Sequence, residues 1–507
     1  MKIVKQKPME RGAGVLMPVA SLPSPYGIGT FGRDAYAFVD FLADAGQKYW
    51  QVLPLGPTSY GDSPYQSFSA FSGNPYFIDL DILIEEGLLT KEEVTSRDWG
   101  NDPAKIDYAK LYVERFKVLC SAFSRSAHCN TPEYIAFCAE NEVWLEAYSQ
   151  YMAVKTYFGG KEWLAWPEDI RMREPGTVQM YAKKLEKEIA FWKFCQFKFF
   201  EQWRELKKYA NSAGIEIIGD IPIYVAFDSA DVWVHSEQFQ LDEQHRPTRV
   251  AGVPPDMFSE TGQLWGNPLY NWELMAREDF AWWKRRMFFS AKLYDVIRID
   301  HFVGIAHYYS IPAGDTTAQN GEWVTGPGEP LIAAISSVMG NKRVIAENLG
   351  TVIPAVDKML EKSGYPGMKL MQFGFDGDAK NQNLTCCYEK NEVIYGGTHD
   401  NETLAGFFTH QKPAVLRFAR NYLNVRTNRE IPSGIIRAGY ASVADTVIFQ
   451  LQDLLELDNS ARMNTPSTIG GNNWRWRLIQ GQFLPELAQR LKQLVVLYGR
   501  SSGGNIK

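Results

Sequence analysis

Cysteine is scarce in this chain of 507 residues, with only Cys120, Cys129, Cys138, Cys195, Cys386 and Cys387 present. No two stand as C-x-x-C, and the adjacent pair does not suggest a conventional bridge. A disulfide framework is thereby excluded, and a reducing cytoplasmic setting is expected. Long apolar runs are also missing, so no membrane-spanning segment is expected. The basic start MKIVKQKPMERGAG leads into no apolar stretch of the kind a signal peptide needs. Charge of one sign is not in excess. Lys and Arg total 53 against 59 Asp and Glu, a formal net charge of -6. That mild acidity excludes an electrostatic partnership with nucleic acid or an anionic membrane.

Several chemical signatures are absent as well. There is no H-E-x-x-H, no spaced Cys/His set for zinc and no G-x-x-x-x-G-K-[ST] phosphate loop. The G-x-S-x-G elbow is missing too. The stretch FDGDAKNQN, residues 375–383, has Lys380 and Asn381 where a calcium loop needs an acid and a glycine. Neither a metal nor an organic cofactor is expected. What the chain does have is aromatic residues: 15 Trp, 25 Tyr and 29 Phe. Such rings pack cores, and they also stack on amphipathic ligands.

Eight short apolar runs read as buried strands, at 14–19, 49–55, 215–225, 296–302, 343–348, 368–375, 393–399 and 445–451. Continuous apolar character without strict alternation suits a parallel sheet covered on both faces. Segments of helical period separate most of them, among them 33–45 and a long stretch at 178–213. Eight strands alternating with helices predict a (β/α)8 TIM barrel, which needs about 250 residues. An open doubly wound sheet would ask for G-x-G-x-x-G near the first strand, and none is there. The whole chain, 1–507, then reads as one catalytic barrel carrying two insertions at the C-terminal face of the strands. The first, 56–210, is mainly helical and comes after strand two. The second, 226–292, is loop-rich, comes after strand three and would cover the site. No C-terminal β-sandwich is expected, because the chain after the last strand reads as loop and helix.

Acidic residues recur where these runs end. Asp220 closes IEIIGD, Asp300 closes VIRID, Glu347 lies in RVIAEN and Asp400 closes VIYGGTHD. A single carboxylate of this kind has a bland reading as a cap or a solvated group. An unpaired charge at the end of an apolar run is costly, however, and four at equivalent positions converge on one mouth of a closed barrel. Arg298 lies two residues before Asp300, so both side chains share a strand face. A neighbouring guanidinium would keep Asp300 ionised, as a nucleophile requires, unless the two form only a core ion pair. Glu347 has no cation beside it, and a raised pKa there would suit a proton donor. His399 could bind sugar hydroxyls.

Taken together, the segments resemble the 4-α-glucanotransferases called amylomaltase or disproportionating enzyme, glycoside hydrolase family 77 of the α-amylase clan. The stretches that carry the resemblance begin with SLPSPYGIGTFG (21–32), GDSPYQSFSAFSGNPYFIDL (61–80) and GDIPIYVAFDSADVW (219–233). They continue with GVPPDMFSETGQLWGNPLYNW (252–272), RIDHF (298–302), AENLG (346–350), THDNET (398–403) and RMNTPST (462–468). The resemblance implies a retaining reaction on α-1,4-glucan donor and acceptor sugars. In it Asp300 is the nucleophile, Glu347 the general acid and base, and Asp400 the stabiliser of the oxocarbenium-like transition state. Arg298 would align the nucleophile, Asp220 would have an organising role near the donor subsite, and His399 would stand beside Asp400. Tyr60 would stack on the sugar beside the scissile bond, Trp265 would fold over the acceptor side, and Asn464 would contact sugar. Two positions depart from the family pattern: Asn348 and Glu402 stand where Asp is common. An α-amylase-like hydrolase and an inactive glucan-binding protein are the alternative readings.

Overall fold

The computed structural model describes residues 2–59, 61–255, 259–350, 353–483 and 485–501. Twelve strands occur among them in chain order: β1 (Gly12–Leu16), β2 (Tyr49–Gln51), β3 (Glu216–Ile221), β4 (Arg249–Val253), β5 (Gln263–Pro268) and β6 (Val296–Ile299). They continue as β7 (His307–Pro312), β8 (Glu322–Thr325), β9 (Arg343–Ala346), β10 (Gly367–Leu370), β11 (Glu392–Tyr395) and β12 (Thr446–Gln450). The eight apolar runs all become strands of one sheet, in the order β10-β11-β12-β1-β2-β3-β6-β9, with every pairing parallel. The two ends meet. Ala346 N donates to Pro366 O at 3.0 Å, and Met368 N donates to Asn348 Oδ1 at 2.8 Å. The sheet is thus a nearly closed (β/α)8 barrel. Among the described residues no strand comes after β12, which leads instead to short helical turns and the helix Pro485–Leu497.

Strand alternation divides the core in two. Leu16, Tyr49, Ile218, Val296, Ile345, Met368, Val393, Tyr395 and Ile448 face inward and pack on one another. Their neighbours Val15, Trp50, Ile217, Ile297, Val344, Ile394 and Val447 face outward, against the helices. The packing leaves no room for a side chain at Gly219, where a Cβ would come within 2.1 Å of the Tyr294 ring.

The chain between β2 and β3 is largely helical, with Tyr108–Arg125, Pro132–Tyr157 and Glu186–Ser212 its longest helices. The predicted helix at 178–213 is in fact two, Pro175–Lys184 and Glu186–Ser212, joined at Leu185. Leu185 has φ -111 and ψ 26, outside the helical region. Between β3 and β6 the reading of loop was too sparse. The stretch contains β4 and β5, which join β7 and β8 in a second, antiparallel sheet of order β5-β4-β7-β8. Its strands are interrupted by glycine and by a register shift between Val250 and Gly252, which hides their alternation in the sequence. Among the described residues no helix is long and apolar enough to cross a membrane, and all six cysteines are free thiols.

At the barrel end where β6 begins, Asp295 collects Lys342 Nζ at 2.8 Å, Lys207 Nζ at 2.9 Å, Asn211 Nδ2 at 2.8 Å and Ile217 N at 3.0 Å. Burial opposes its ionisation, but these donors outweigh burial and hold the carboxyl down at about 2. A folded-state pKa below the unfolded value stabilises above the unfolded pKa and ceases to do so as pH falls through the folded one. Asp295→Asn is therefore expected to cost about 2 kcal/mol at neutral pH. In urea titrations the gap between variant and parent should narrow as pH falls from about 4 towards 2; a constant gap would contradict the assignment.

Candidate active site

The inward register that fills the barrel also delivers the acids to its mouth. Ile218 faces inward, and so does Asp220 two residues on; Val296 is succeeded in the same way by Arg298 and Asp300, and Ile345 by Glu347. The hydrogen-bond ladder runs past the strand ends to seat them. Asp300 N donates to Ile221 O at 2.9 Å, and Glu347 N donates to Ile299 O at 3.1 Å.

Arg298 is the centre of the cluster. Its Nη1 lies 2.7 Å and 2.6 Å from the two oxygens of Asp220 and 3.0 Å from Asp300 Oδ1. Arg298 and Asp220 are only 3% and 1% exposed, so neither has water to solvate its charge. Asp220 Oδ2 also accepts a hydrogen bond from Tyr65 Oη at 2.8 Å. Burial raises the Asp300 carboxyl well above its ordinary value, and Arg298 opposes that rise while Glu347, Asp220 and Asp400 add to it. Burial raises Glu347 as well, against the pull of Arg298 and of the His301 amide. That amide donates to Glu347 Oε2 at 2.5 Å. His301 adopts a left-handed φ of 50 to reach it, a conformation that costs a non-glycine residue about 1–3 kcal/mol.

Asp400 stands on the loop after β11. Asn464 Nδ2 donates to its Oδ1 at 2.6 Å, and His399 Nε2 is 3.4 Å from its Oδ2. The His399 ring stacks on Tyr65, with centroids 5.1 Å apart and planes at 15°, and also meets Trp474, at 5.8 Å and 39°, while Trp474 and Tyr65 touch each other at 5.9 Å. Burial lowers the pKa of His399, with Asp400 opposing. Trp265, on β5, comes down over the opposite side. It meets the His301 ring edge-on at 4.9 Å and 90°, and burial pushes His301 down to about 4, so this imidazole is neutral at pH 7.

Eight of the nine residues singled out in the sequence therefore lie in the described structure around one mouth; Tyr60 lies outside the described residues. Sequence reasoning missed Tyr65, five residues further along the same SYGDSPY stretch, which here bonds Asp220 and stacks on His399. It also missed His301, Trp474 and Arg462; the first and last sit inside quoted motifs but carry no sign of their partners. Asn348 uses its side chain to close the barrel at Met368, a carbonyl acceptor role that aspartate could equally fill. Glu402 is engaged with other partners, its Oε1 accepting from Asn459 Nδ2. Its Oε2 lies 3.3 Å from His410 Nε2.

A parallel barrel that gathers carboxylates around a buried arginine, beneath an aromatic roof, has the site architecture of barrel enzymes acting on glycosidic bonds. Residues 17–481 match the model of glycoside hydrolase family 77, described as 4-alpha-glucanotransferase, and the chain belongs to that family. The 4-alpha-glucanotransferase of Streptococcus pneumoniae serotype 4 is 45% identical over 494 residues, covering 97% of this chain and 98% of that protein. That of Thermus thermophilus is 45% identical over 497 residues, covering 96% and 98%. A solved structure, the amylomaltase from Streptococcus agalactiae in complex with acarbose, is 42% identical with a TM-score of 0.94, covering 97% of this chain and 100% of that one.

The electrostatics of the mouth give a direct test. Removing one partner of a buried ion pair strands the other, at a cost of about 3–5 kcal/mol. Arg298→Ala is expected to lower unfolding stability by that amount in urea, since Asp220 would lose its counter-charge. Asn348→Asp should stay within about 0.5 kcal/mol of the parent in the same titration.

Proposed function

We propose that this chain transfers α-1,4-glucan segments between maltooligosaccharides or starch-type glucans by a retaining double displacement. The observation that carries the assignment of roles is the asymmetry around Arg298. It forms an ion pair with Asp300 at 3.0 Å, whereas among the described residues no basic side chain pairs with Glu347. Burial raises both carboxyls, and the guanidinium in contact with Asp300 favours its ionised form, as a nucleophile needs, while Glu347, with no such contact, is the acid suited to donate a proton.

Asp300 then attacks the anomeric carbon while Glu347 gives its proton to the departing glycosidic oxygen, leaving a covalent glucosyl-enzyme. In the second half, Glu347 takes the proton of an acceptor hydroxyl, and that oxygen displaces Asp300. Asp400 faces the ring that carries developing positive charge and stabilises it. Asp220 holds Arg298 in place, and His399 and Asn464 fix Asp400 and offer polar contacts to sugar. Tyr60 and Trp265 are read as platforms for glucose rings on the two sides of the scissile bond. Transfer prevails over hydrolysis when the acceptor is held close and water is kept out. The sheet bearing Trp265 supports that preference, as it roofs the mouth beside His301.

The same reading takes residues 1–507 as one catalytic unit, with the insertions 56–210 and 226–292 shaping its mouth. It places the protein in the cytoplasm, with glucans and not nucleic acid or membranes as its partners; six free thiols and the balanced charge support this. Incubation with maltotriose is expected to yield glucose and a ladder of longer oligosaccharides, and shortening alone would sink the transfer reading. Asp300→Ala is expected to abolish turnover with the fold retained; covalent intermediate formed at the parental rate would refute the nucleophile. A raised pKa on a required acid means that activity falls as pH rises through it. Glu347→Gln should lose most activity, keep oligosaccharide binding and lose that alkaline limb.

A further inference from the structure

We propose that Arg462 is a positioning residue that sets the place of Asp400, an inference that rests on the catalytic role given to Asp400 above. The loop from Thr398 to Thr403 has no regular structure of its own, yet it carries both His399 and Asp400. Asn401 Oδ1 accepts from Thr398 N at 2.8 Å within the loop, and Gln372 Nε2 donates to Glu402 O at 2.6 Å, but His399 O and Asp400 O are held by a segment of chain beyond β12. Asn464 N donates to His399 O at 3.0 Å. Arg462 Nη2 donates to Asp400 O at 2.8 Å, and its Nε donates to Asn464 O at 2.7 Å. The Asn464 side chain completes the ring by donating to Asp400 Oδ1. One guanidinium edge therefore joins two carbonyls from opposite segments, and the residue between those bonds orients the carboxylate itself.

The chemistry requires arginine. Nε and Nη2 lie on one edge of a planar, permanently charged group, with both N–H bonds directed to the same side. A lysine ammonium could serve one carbonyl but could not brace the pair. The guanidinium is half-buried, and the carboxylates of Glu402 and Asp400 oppose the effect of that burial on its charge. The base of the loop is secured independently: Leu404 N donates to Asp453 Oδ1 at 2.7 Å, and Thr403 N donates to Asn459 Oδ1 at 3.2 Å. Loss of Arg462 should thus free the Asp400 end of the loop while the helix Leu404–Thr409 stays docked.

The test compares Arg462→Ala, Arg462→Lys and Asp400→Asn with the parent in maltotriose disproportionation, with thermal midpoints measured alongside. Misplacement of a catalytic group by about 1 Å costs on the order of 100-fold, so kcat of Arg462→Ala is expected to fall by about 10- to 100-fold. KM should change less than about threefold and the midpoint by only a few degrees. Arg462→Lys should resemble the alanine variant, because it keeps the charge but lacks the fork. Parental turnover in Arg462→Ala beside an inactive Asp400→Asn would overturn the clasp and leave the role of Asp400 standing. Parental turnover in Arg462→Lys would overturn the fork as the operative feature. A loss matched by the unfolded fraction, or one confined to KM, would also overturn the proposal. Activity retained in Asp400→Asn would bring down the catalytic role and the clasp together.

Discussion

The buried guanidinium of Arg298 is the point on which the mouth of this barrel depends. Asp220 and Asp300 come from adjacent strands and point into the same low-dielectric space, where two like charges repel and neither is well hydrated. A single cation between them makes the pair tenable. Because Asp220 takes both short contacts and Asp300 only one, the two acids are not equivalent. The first is saturated by Arg298 and Tyr65, while the second keeps an oxygen directed to the mouth. The difference between a supporting acid and a reacting one comes from how one cation is shared.

Around that centre the protein uses backbone to fix what side chains alone could not. Both Asp300 and Glu347 are anchored by N–H groups that extend the barrel ladder beyond its last regular pair. The amide after Asp300 turns back, through the strained His301, to hold Glu347. The two acids that must act in concert are therefore coupled through a single peptide unit and cannot drift apart independently. Asp400 has no such ladder beside it and relies on contacts from a distant segment instead. The barrel thus supplies two of its carboxylates rigidly and the third through a brace.

The barrel was legible in the sequence because each strand is buried on both faces, so its residues form unbroken apolar runs. The acids were legible for the same reason: a charge at the end of such a run is conspicuous. Residues whose part depends on a partner far along the chain were not legible. Tyr65 shares a stretch with Tyr60, and nothing in the spacing says that its ring stacks on His399. Arg462 looked like any half-exposed arginine until its two carbonyls were brought beside it. The roof strands β4 and β5 were hidden by glycines, a proline and a register shift, which break the alternation that marks a strand. Asn348 and Glu402 stood out as departures, but one accepts a backbone N–H as aspartate would and the other is engaged with Asn459 and His410.

The second sheet is joined to the barrel in a way that bears on how such a site could change. Its strand β7 starts at His307, separated from Asp300 by little more than the short helix Val303–Ala306. The sheet that holds Trp265 is thus tied to the same strand end that holds Asp300. Roof and floor share one hinge. Exchange of the whole insertion for that of a relative would have to preserve this short span, since shifting it would move the aromatic cover and the buried acid together. The outer edge, β8, is drawn into the same junction: Gly326 N, just beyond the strand, donates to Ala306 O at 2.8 Å, and Glu322 pairs with Arg249 of β4 at 2.7 Å. An exchange would therefore have to carry all four strands as a unit.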